Sequence, residues 1–244
     1  DGTLTTLRKG WDVILTDYAN SRINPYNKPC EGLKEAILHL TDHAGGTTPK
    51  QLMSRLMKLM RQMKLFPESE IKSIEFYAKE YADHFQTMIN ERVANFSTAS
   101  ESYVIESVRP MLSFLSSKNT VKYIVTGSCE TAVKDELHKL DMIGHFEGVY
   151  GATLEMEVNL KLNAINEIMA RHEVKACEIL IIGDGSTEIR AAAELKLPAI
   201  GIASNEHEGV LCEKKPSLLI GLGADAIIAD YSGFQHVLDL LHES

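Results

Sequence analysis

Two patterns of apolar positions divide this chain, and the change comes near residue 100. Before it, apolar residues recur at three- and four-residue intervals, the spacing of one helix face. Trp11, Ile14, Leu15 and Tyr18 do so. Leu33, Ala36, Ile37 and Leu40 repeat the pattern before Gly45-Gly46, which reads as a helix stop. Thr48-Pro49 opens another helix, with proline at its first position. Leu52, Leu56, Met57, Leu59, Met60 and Met63 run along it, a stripe read first as core filling. Glu68 to Asn95 supplies one long helix or two shorter ones. No strand-like alternation of period two occurs between residues 8 and 97.

After about Ser100, short apolar runs alternate with helical segments. Val108–Leu115 reads as a helix, Val121–Val125 as a strand, Thr131–Leu140 as a helix and Gly148–Gly151 as a short strand. Lys161–His172 reads as a helix, Ile179–Ile182 as a strand and Ile189–Leu195 as a helix. Ala199–Ile202 and Ala226–Ala229 are strands, with helices at Lys215–Leu222 and Phe234–Leu241. Strands alternating with helices predict an α/β fold with a doubly wound parallel sheet. The hinges between helical block and sheet domain are expected near Arg8–Gly10 and Ser97–Ser102.

The run Ile179-Leu180-Ile181-Ile182 is rich in β-branched residues and stops at Gly183, as a strand buried on both faces does. In open α/β sheets the functional crevice lies beyond the carboxyl ends of the strands. Asp184 falls there, with Glu188 four residues on, which suggests a magnesium site built on hard oxygen ligands. The plainer reading is a tight Gly-Asp-Gly turn with Ser186 or Thr187 capping the next helix. A dinucleotide fingerprint fails, because Glu188 stands where its third glycine belongs.

Other candidates are weaker alone. Thr126, Gly127 and Ser128 follow a strand and offer a hydroxyl and backbone N–H groups to a phosphate oxygen; they also read as an ordinary strand-to-helix cap. Lys161, at a helix start, reads in isolation as a surface lysine. Arg55, Lys58 and Arg61 form a row that is either solvated or steers an anionic substrate. Gly46, Thr47 and Thr48, in the small-residue turn before the third helix, are the candidate substrate contacts, since small residues let a ligand approach the backbone.

Composition narrows the class. The 244 residues are 44% apolar and 24% charged, as in globular proteins of one large or two unequal domains. No apolar run approaches the roughly 18 residues of a membrane helix. A net charge of −9 without a basic tail argues against nucleic acid as main partner. Cys30, Cys129, Cys177 and Cys212 lack C-x-x-C spacing, which fits reduced thiols in a cytoplasmic protein. The chain opens on Asp1 rather than methionine and is expected to be a piece of a longer one.

Four stretches, in order, resemble the motifs of the haloacid dehalogenase superfamily, specifically its phosphatases with a helical cap inserted after the first motif. DGTLT, from Asp1, matches the second half of Asp-x-Asp-Gly-Thr. IVTGS, ending in Thr126-Gly127-Ser128, matches the second motif, and Lys161 falls where the third motif's lysine is expected. IIGDGSTEIRAAAELKLPAIGI, containing Asp184, matches the fourth. GDGSTEIR, RKGW and ASNEHEG also resemble a bacterial subgroup sometimes fused to sugar kinases. Three departures stand out. The motif's leading Asp would lie two residues before Asp1. Glu188 replaces an Asp common in the family, and Leu162 replaces the proline common after the lysine.

The resemblance implies an α/β core of residues 1–8 and 98–244 and a helical cap of residues 9–97. It implies a Mg²⁺-dependent phosphatase of a small phosphorylated metabolite, working through an aspartyl-phosphate. The upstream Asp would attack phosphorus. Asp1 would serve as general acid and base and lend its carbonyl to the metal. Thr126 and Gly127 would bind phosphoryl oxygens. Lys161 would offset charge between phosphate and nucleophile, and Asp184 would hold the metal, with Glu188 direct or through water. A non-catalytic phosphate-binding module on the same fold, or a mutase or dehalogenase, is the alternative. In the resembling family a strand preceding Asp1 lies mid-sheet, beside those ending at Thr126 and Asp184, so roughly five or more apolar residues followed by Asp-x are expected upstream.

Overall fold

The structure is a computed structural model and describes residues 2–42, 47–94, 103–152, 160–204 and 215–243. The chain forms two compact units: Gly10–Ala94, and Asp1–Lys9 together with Asn95–Ser244.

The first unit is helical: α1 (Trp11–Ile23), α2 (Leu33–Asp42), α3 (Pro49–Met63) and α4 (Ile74–Ala94). The stretch from Glu68 folds as a short 3₁₀ turn, Glu68–Glu70, followed by α4 as one long helix. Thr48 starts α3 with a reciprocal cap: its hydroxyl accepts from the Gln51 N–H, and the Gln51 side chain accepts from the Thr48 N–H at 3.1 Å. The methionine stripe is core. Met53, Met57 and Met60 are buried with Leu52 and Leu56 against Leu15, Ile23 and Ile37. Tyr18 closes this core by donating to Glu80 Oε2 at 2.9 Å, while Arg22 donates to the other oxygen at 2.6 Å. In the basic row, Arg55, Lys58 and Arg61 are exposed and Arg61 donates to Glu68.

The second unit alternates helices and parallel strands: α5 (Val108–Ser117), β1 (Tyr123–Cys129), α6 (Glu130–Lys139), β2 (Gly148–Ala152), α7 (Leu160–His172), β3 (Ile181–Gly183), α8 (Ser186–Leu195), β4 (Ala199–Ile202), α9 (Lys215–Gly221), β5 (Ala226–Ile228) and α10 (Phe234–Glu243). Hydrogen bonding groups the strands as β1-β2 and as β3-β4-β5, all pairs parallel. Apolar side chains on both sides of the strands fill two cores. One gathers Val108, Leu112, Met142, Ile200, Ile202 and Phe234; the other gathers Ile165, Ile189, Ala192 and Leu219.

Two features differ from the sequence pattern. The strand before Asp184 begins at Ile181, because a 3₁₀ turn at Ala176–Glu178 takes up the preceding chain. Ile181 and Ile182 are half-buried rather than buried on both faces, as befits the outer strand of a three-stranded sheet. In β1 the ladder with β2 is regular through Val125↔Tyr150 and then skips to Cys129↔Ala152. Thr126, Gly127 and Ser128 thus bulge opposite Gly151 alone, which turns them out of the ladder.

The N-terminal segment is pinned at both ends. Ile105 N–H donates to Leu4 O and Thr6 N–H donates to Tyr103 O, while Tyr231 donates its hydroxyl to Thr3 O at 2.9 Å. Leu7 is fully buried. Arg8 forms a covered ion pair with Glu136 of α6. Among the described residues, no helix is long and apolar enough to cross a membrane.

Candidate active site

Asp184 follows β3 directly, so its carboxylate emerges at the strand's carboxyl end. The Thr3 hydroxyl donates to its Oδ1 at 2.9 Å, and the Lys215 ammonium lies 3.3 Å from Oδ2. The backbone at Gly2 passes close by: a Cβ there would lie 2.1 Å from Asp184 Oδ2, and Gly2 has φ +73°. Glycine answers both demands at once, for close approach and for a left-handed backbone. Tyr231 reaches the same place through its hydrogen bond to Thr3 O. Its burial, with the negative charge of Asp184, pushes its phenol well above the usual tyrosine range.

Glu188 is held from the other side of the same turn. Its Oε1 accepts from the Gly185 N–H at 2.6 Å, which is half of a capping box for α8. Oε2 accepts from the Thr187 hydroxyl at 2.9 Å and from the ammonium of Lys161. Burial alone would raise the Glu188 pKa. The charge and hydrogen bond of Lys161 and two backbone N–H groups outweigh it and hold the carboxyl at about 2. Gly183 has to be glycine, since a Cβ would meet Glu188 Cγ at 2.2 Å. The helix cap is therefore provided by Glu188, with Gly185 at the N-cap, rather than by Ser186 or Thr187.

Lys161 lies in the first turn of α7, which packs against β1, β2 and α8. That places the bulge of β1 and the Lys161–Glu188 pair on neighbouring elements. The Thr126 hydroxyl accepts from the Ser128 N–H at 3.1 Å. Gly151 lies opposite the bulge, and a Cβ there would meet the Glu130 backbone at 2.4 Å.

The structure thus brings Asp184 together with Thr3, Lys215 and Tyr231, and joins Lys161 to Glu188 across the Gly183–Gly185 turn. Thr47 and Thr48 belong to the helical unit, where Thr48 serves as the cap of α3. Asp1 and Gly46 lie outside the described residues. Sequence reasoning gave no part to Thr3, Lys215 or Tyr231. Thr3 carried a signal in the DGT triplet; the other two carried none.

The Asp184 carboxylate and the Thr3 hydroxyl beside it present oxygens of the hard kind that suits Mg²⁺, and the Lys215 ammonium lies where a cation neutralises the carboxylate. Glu188 has both oxygens turned to protein donors. Among the described residues, no group of three or more His, Cys, Asp or Glu could hold a metal; Mg²⁺ typically takes only one or two protein carboxylates.

The family model for haloacid dehalogenase-like hydrolases matches residues 34–202. The chain belongs to that family. It is therefore a hydrolase by lineage. Solved structures agree in fold. A predicted phosphoglycolate phosphatase from Haemophilus somnus is 18% identical, with 98% of this chain and 94% of that one covered and a TM-score of 0.63. A hydrolase from Pseudomonas syringae is 14% identical over 99% and 95%, with a TM-score of 0.63. A haloacid dehalogenase-like hydrolase from Streptococcus pneumoniae is 17% identical over 100% and 94%, with a TM-score of 0.59. No curated protein matches the chain.

Proposed function

We propose that the protein is a Mg²⁺-dependent phosphatase that hydrolyses the monoester of a small phosphorylated metabolite, of the sugar-phosphate kind, through an aspartyl-phosphate. The observation that carries this reading is the pairing of a strand-end carboxylate, Asp184, with a lysine–carboxylate pair, Lys161–Glu188, on the two sides of one glycine turn.

A carboxylate that attacks a phosphate dianion meets repulsion, and the site's cations offset it. Lys161 does so as an ammonium held in one orientation by Glu188. Thr126 and the backbone N–H of Gly127 bind phosphoryl oxygens from the β1 bulge. Asp184 and the carbonyl of Asp1 would hold the metal, which would supply positive charge to the phosphoryl oxygens and the nucleophile. Glu188, whose oxygens accept from Lys161, Thr187 and Gly185, would serve this metal directly or through water.

The reaction runs in two balanced steps. An Asp two residues before Asp1, which the family resemblance implies, would bond through a carboxylate oxygen to phosphorus as the ester oxygen leaves, and Asp1 would give that oxygen its proton. Water then gives a proton to Asp1 and bonds to phosphorus, and the carboxylate leaves as inorganic phosphate is released. The helical unit, as a cap, sets the substrate, and Gly46, Thr47 and Thr48 are its proposed contacts.

A panel of phosphorylated metabolites, assayed for released inorganic phosphate with the full-length protein, tests the reading. Turnover of at least one monoester with Mg²⁺, abolished by a chelator and restored by added Mg²⁺, is expected. Binding of phosphorylated ligands without turnover of any of them contradicts it.

A further inference from the structure

Lys215 has no part in the reading above, yet its ammonium is the cation beside Asp184. We propose that Lys215 is the resident counter-ion of Asp184, that a divalent metal has to displace it, and that it thereby sets the metal affinity of the site. This rests on Asp184 being the metal ligand.

Two observations carry the inference. First, among the described residues the charge of Asp184 has no cationic partner but Lys215. Thr3 donates as a neutral hydroxyl, Tyr231 is a neutral phenol, and Lys161 is engaged with Glu188. Both side chains are more than two-thirds covered, at 28% and 20% exposed, so water screens the pair incompletely. Second, the contact is loose. Its 3.3 Å exceeds the roughly 2.7–2.9 Å of a tight charge-assisted bond. An ammonium held this way on a flexible four-carbon stem can leave Oδ2 without disturbing the backbone.

Two cations on one carboxylate repel, so Mg²⁺ and Lys215 compete for Asp184. Lys215 is a positioning residue here, since it acts through Asp184. Its presence weakens metal binding and keeps Asp184 compensated between metal-bound states.

Calorimetric titration of the full-length protein with MgCl₂ tests this. Lys215→Met is expected to bind Mg²⁺ on the order of three- to tenfold more tightly, the scale of a partly screened ion pair. Lys215→Arg keeps the charge and is expected to stay close to the unchanged protein. Asp184→Asn is expected to lose Mg²⁺ binding. Loss in Asp184→Asn with no tightening in Lys215→Met overturns the proposal and leaves the metal assignment standing. Undiminished binding in Asp184→Asn overturns the metal assignment and the proposal with it. A second readout needs no variant: acetylation of Lys215, followed by mass spectrometry, is expected to quicken when MgCl₂ is added to the unchanged protein. An unaltered rate overturns displacement.

Discussion

Lys161 and Glu188 meet in a direct, mostly covered ion pair, although 27 residues separate them along the chain. Glu188 is held in turn by the Gly185 N–H and the Thr187 hydroxyl. The lysine thus inherits the rigidity of the turn that carries Asp184. Taking one partner from such a pair leaves the other covered and uncompensated, which costs more than the pair itself contributes. Lys161→Met and Glu188→Gln should each lose about 1–3 kcal/mol of unfolding free energy. The double variant should lose less than their sum, with a coupling of about 1 kcal/mol or more in a denaturant-melt cycle. Additive losses would show that the contact does not couple them.

Gly2 and Gly32 offer a matched comparison. Both have positive φ, +73° and +74°, but only Gly2 faces Asp184 Oδ2 at 2.1 Å from a built Cβ; at Gly32 nothing lies within 4 Å. Gly32→Ala should cost only the left-handed backbone term, about 1–2 kcal/mol. Gly2→Ala should add displacement of the Asp184 carboxylate and weaken Mg²⁺ binding about tenfold or more, a change of ~1.4 kcal/mol. Calorimetry on both variants distinguishes them. Equal Mg²⁺ affinities would mean that the carboxylate accommodates the methyl group.

Stability should fall at alkaline pH, and Tyr18 gives the sign. Burial, then the hydrogen bond to Glu80 and the Glu80 charge, raise its phenol far above the ordinary value of 10.0, while Arg22 opposes. The folded state therefore keeps a proton that the unfolded chain releases. The contribution is complete below pH ~10 and is lost as pH rises toward the folded pKa. Tyr231 shifts in the same direction in the other unit. Melting temperatures between pH 9 and 11.5 should fall less steeply for Tyr18→Phe, which should also be less stable at neutral pH by about 1 kcal/mol. Identical slopes would remove Tyr18 from the alkaline transition.

Cys129 should be the most reactive of Cys30, Cys129 and Cys177. Burial works against its thiolate, but the Thr131 hydroxyl, the N–H groups of Ala132 and Thr131, and the charge of Arg8 lower its pKa. It is also exposed. Alkylation with iodoacetamide at pH 7.5, read by peptide mass spectrometry, should label Cys129 first. Arg8→Met should slow that labelling. Faster labelling of Cys177, the other exposed thiol among the described residues, would contradict this.

The fold was legible where local pattern and tertiary environment agree. The three- and four-residue spacing of Leu15, Leu52 and Met60 marks faces that are buried in the structure. Thr48-Pro49 marks the start of α3 because a cap is a local device. Asp184 was legible as the residue after an apolar run. Ile179 and Leu180 misled, because apolar composition does not distinguish a strand from the turn and extended chain leading into it. Thr3, Tyr231 and Lys215 could not be read as partners of the site, since their contacts cross 181, 228 and 31 residues. Such pairings exist only once the strands have been ordered side by side. The engagement of both Glu188 oxygens was hidden for the same reason, since one of its donors, Lys161, comes from another helix.

The most direct test of the central claim is kcat/KM for phosphate release by the full-length protein in saturating Mg²⁺, on the best monoester of the panel, compared with Lys161→Met and Asp184→Asn. If Lys161 and Asp184 supply charge where it develops in the transition state, each variant should lose on the order of 10²–10³-fold while its melt remains cooperative. Activity within a few-fold of the unchanged protein in either folded variant would contradict the account.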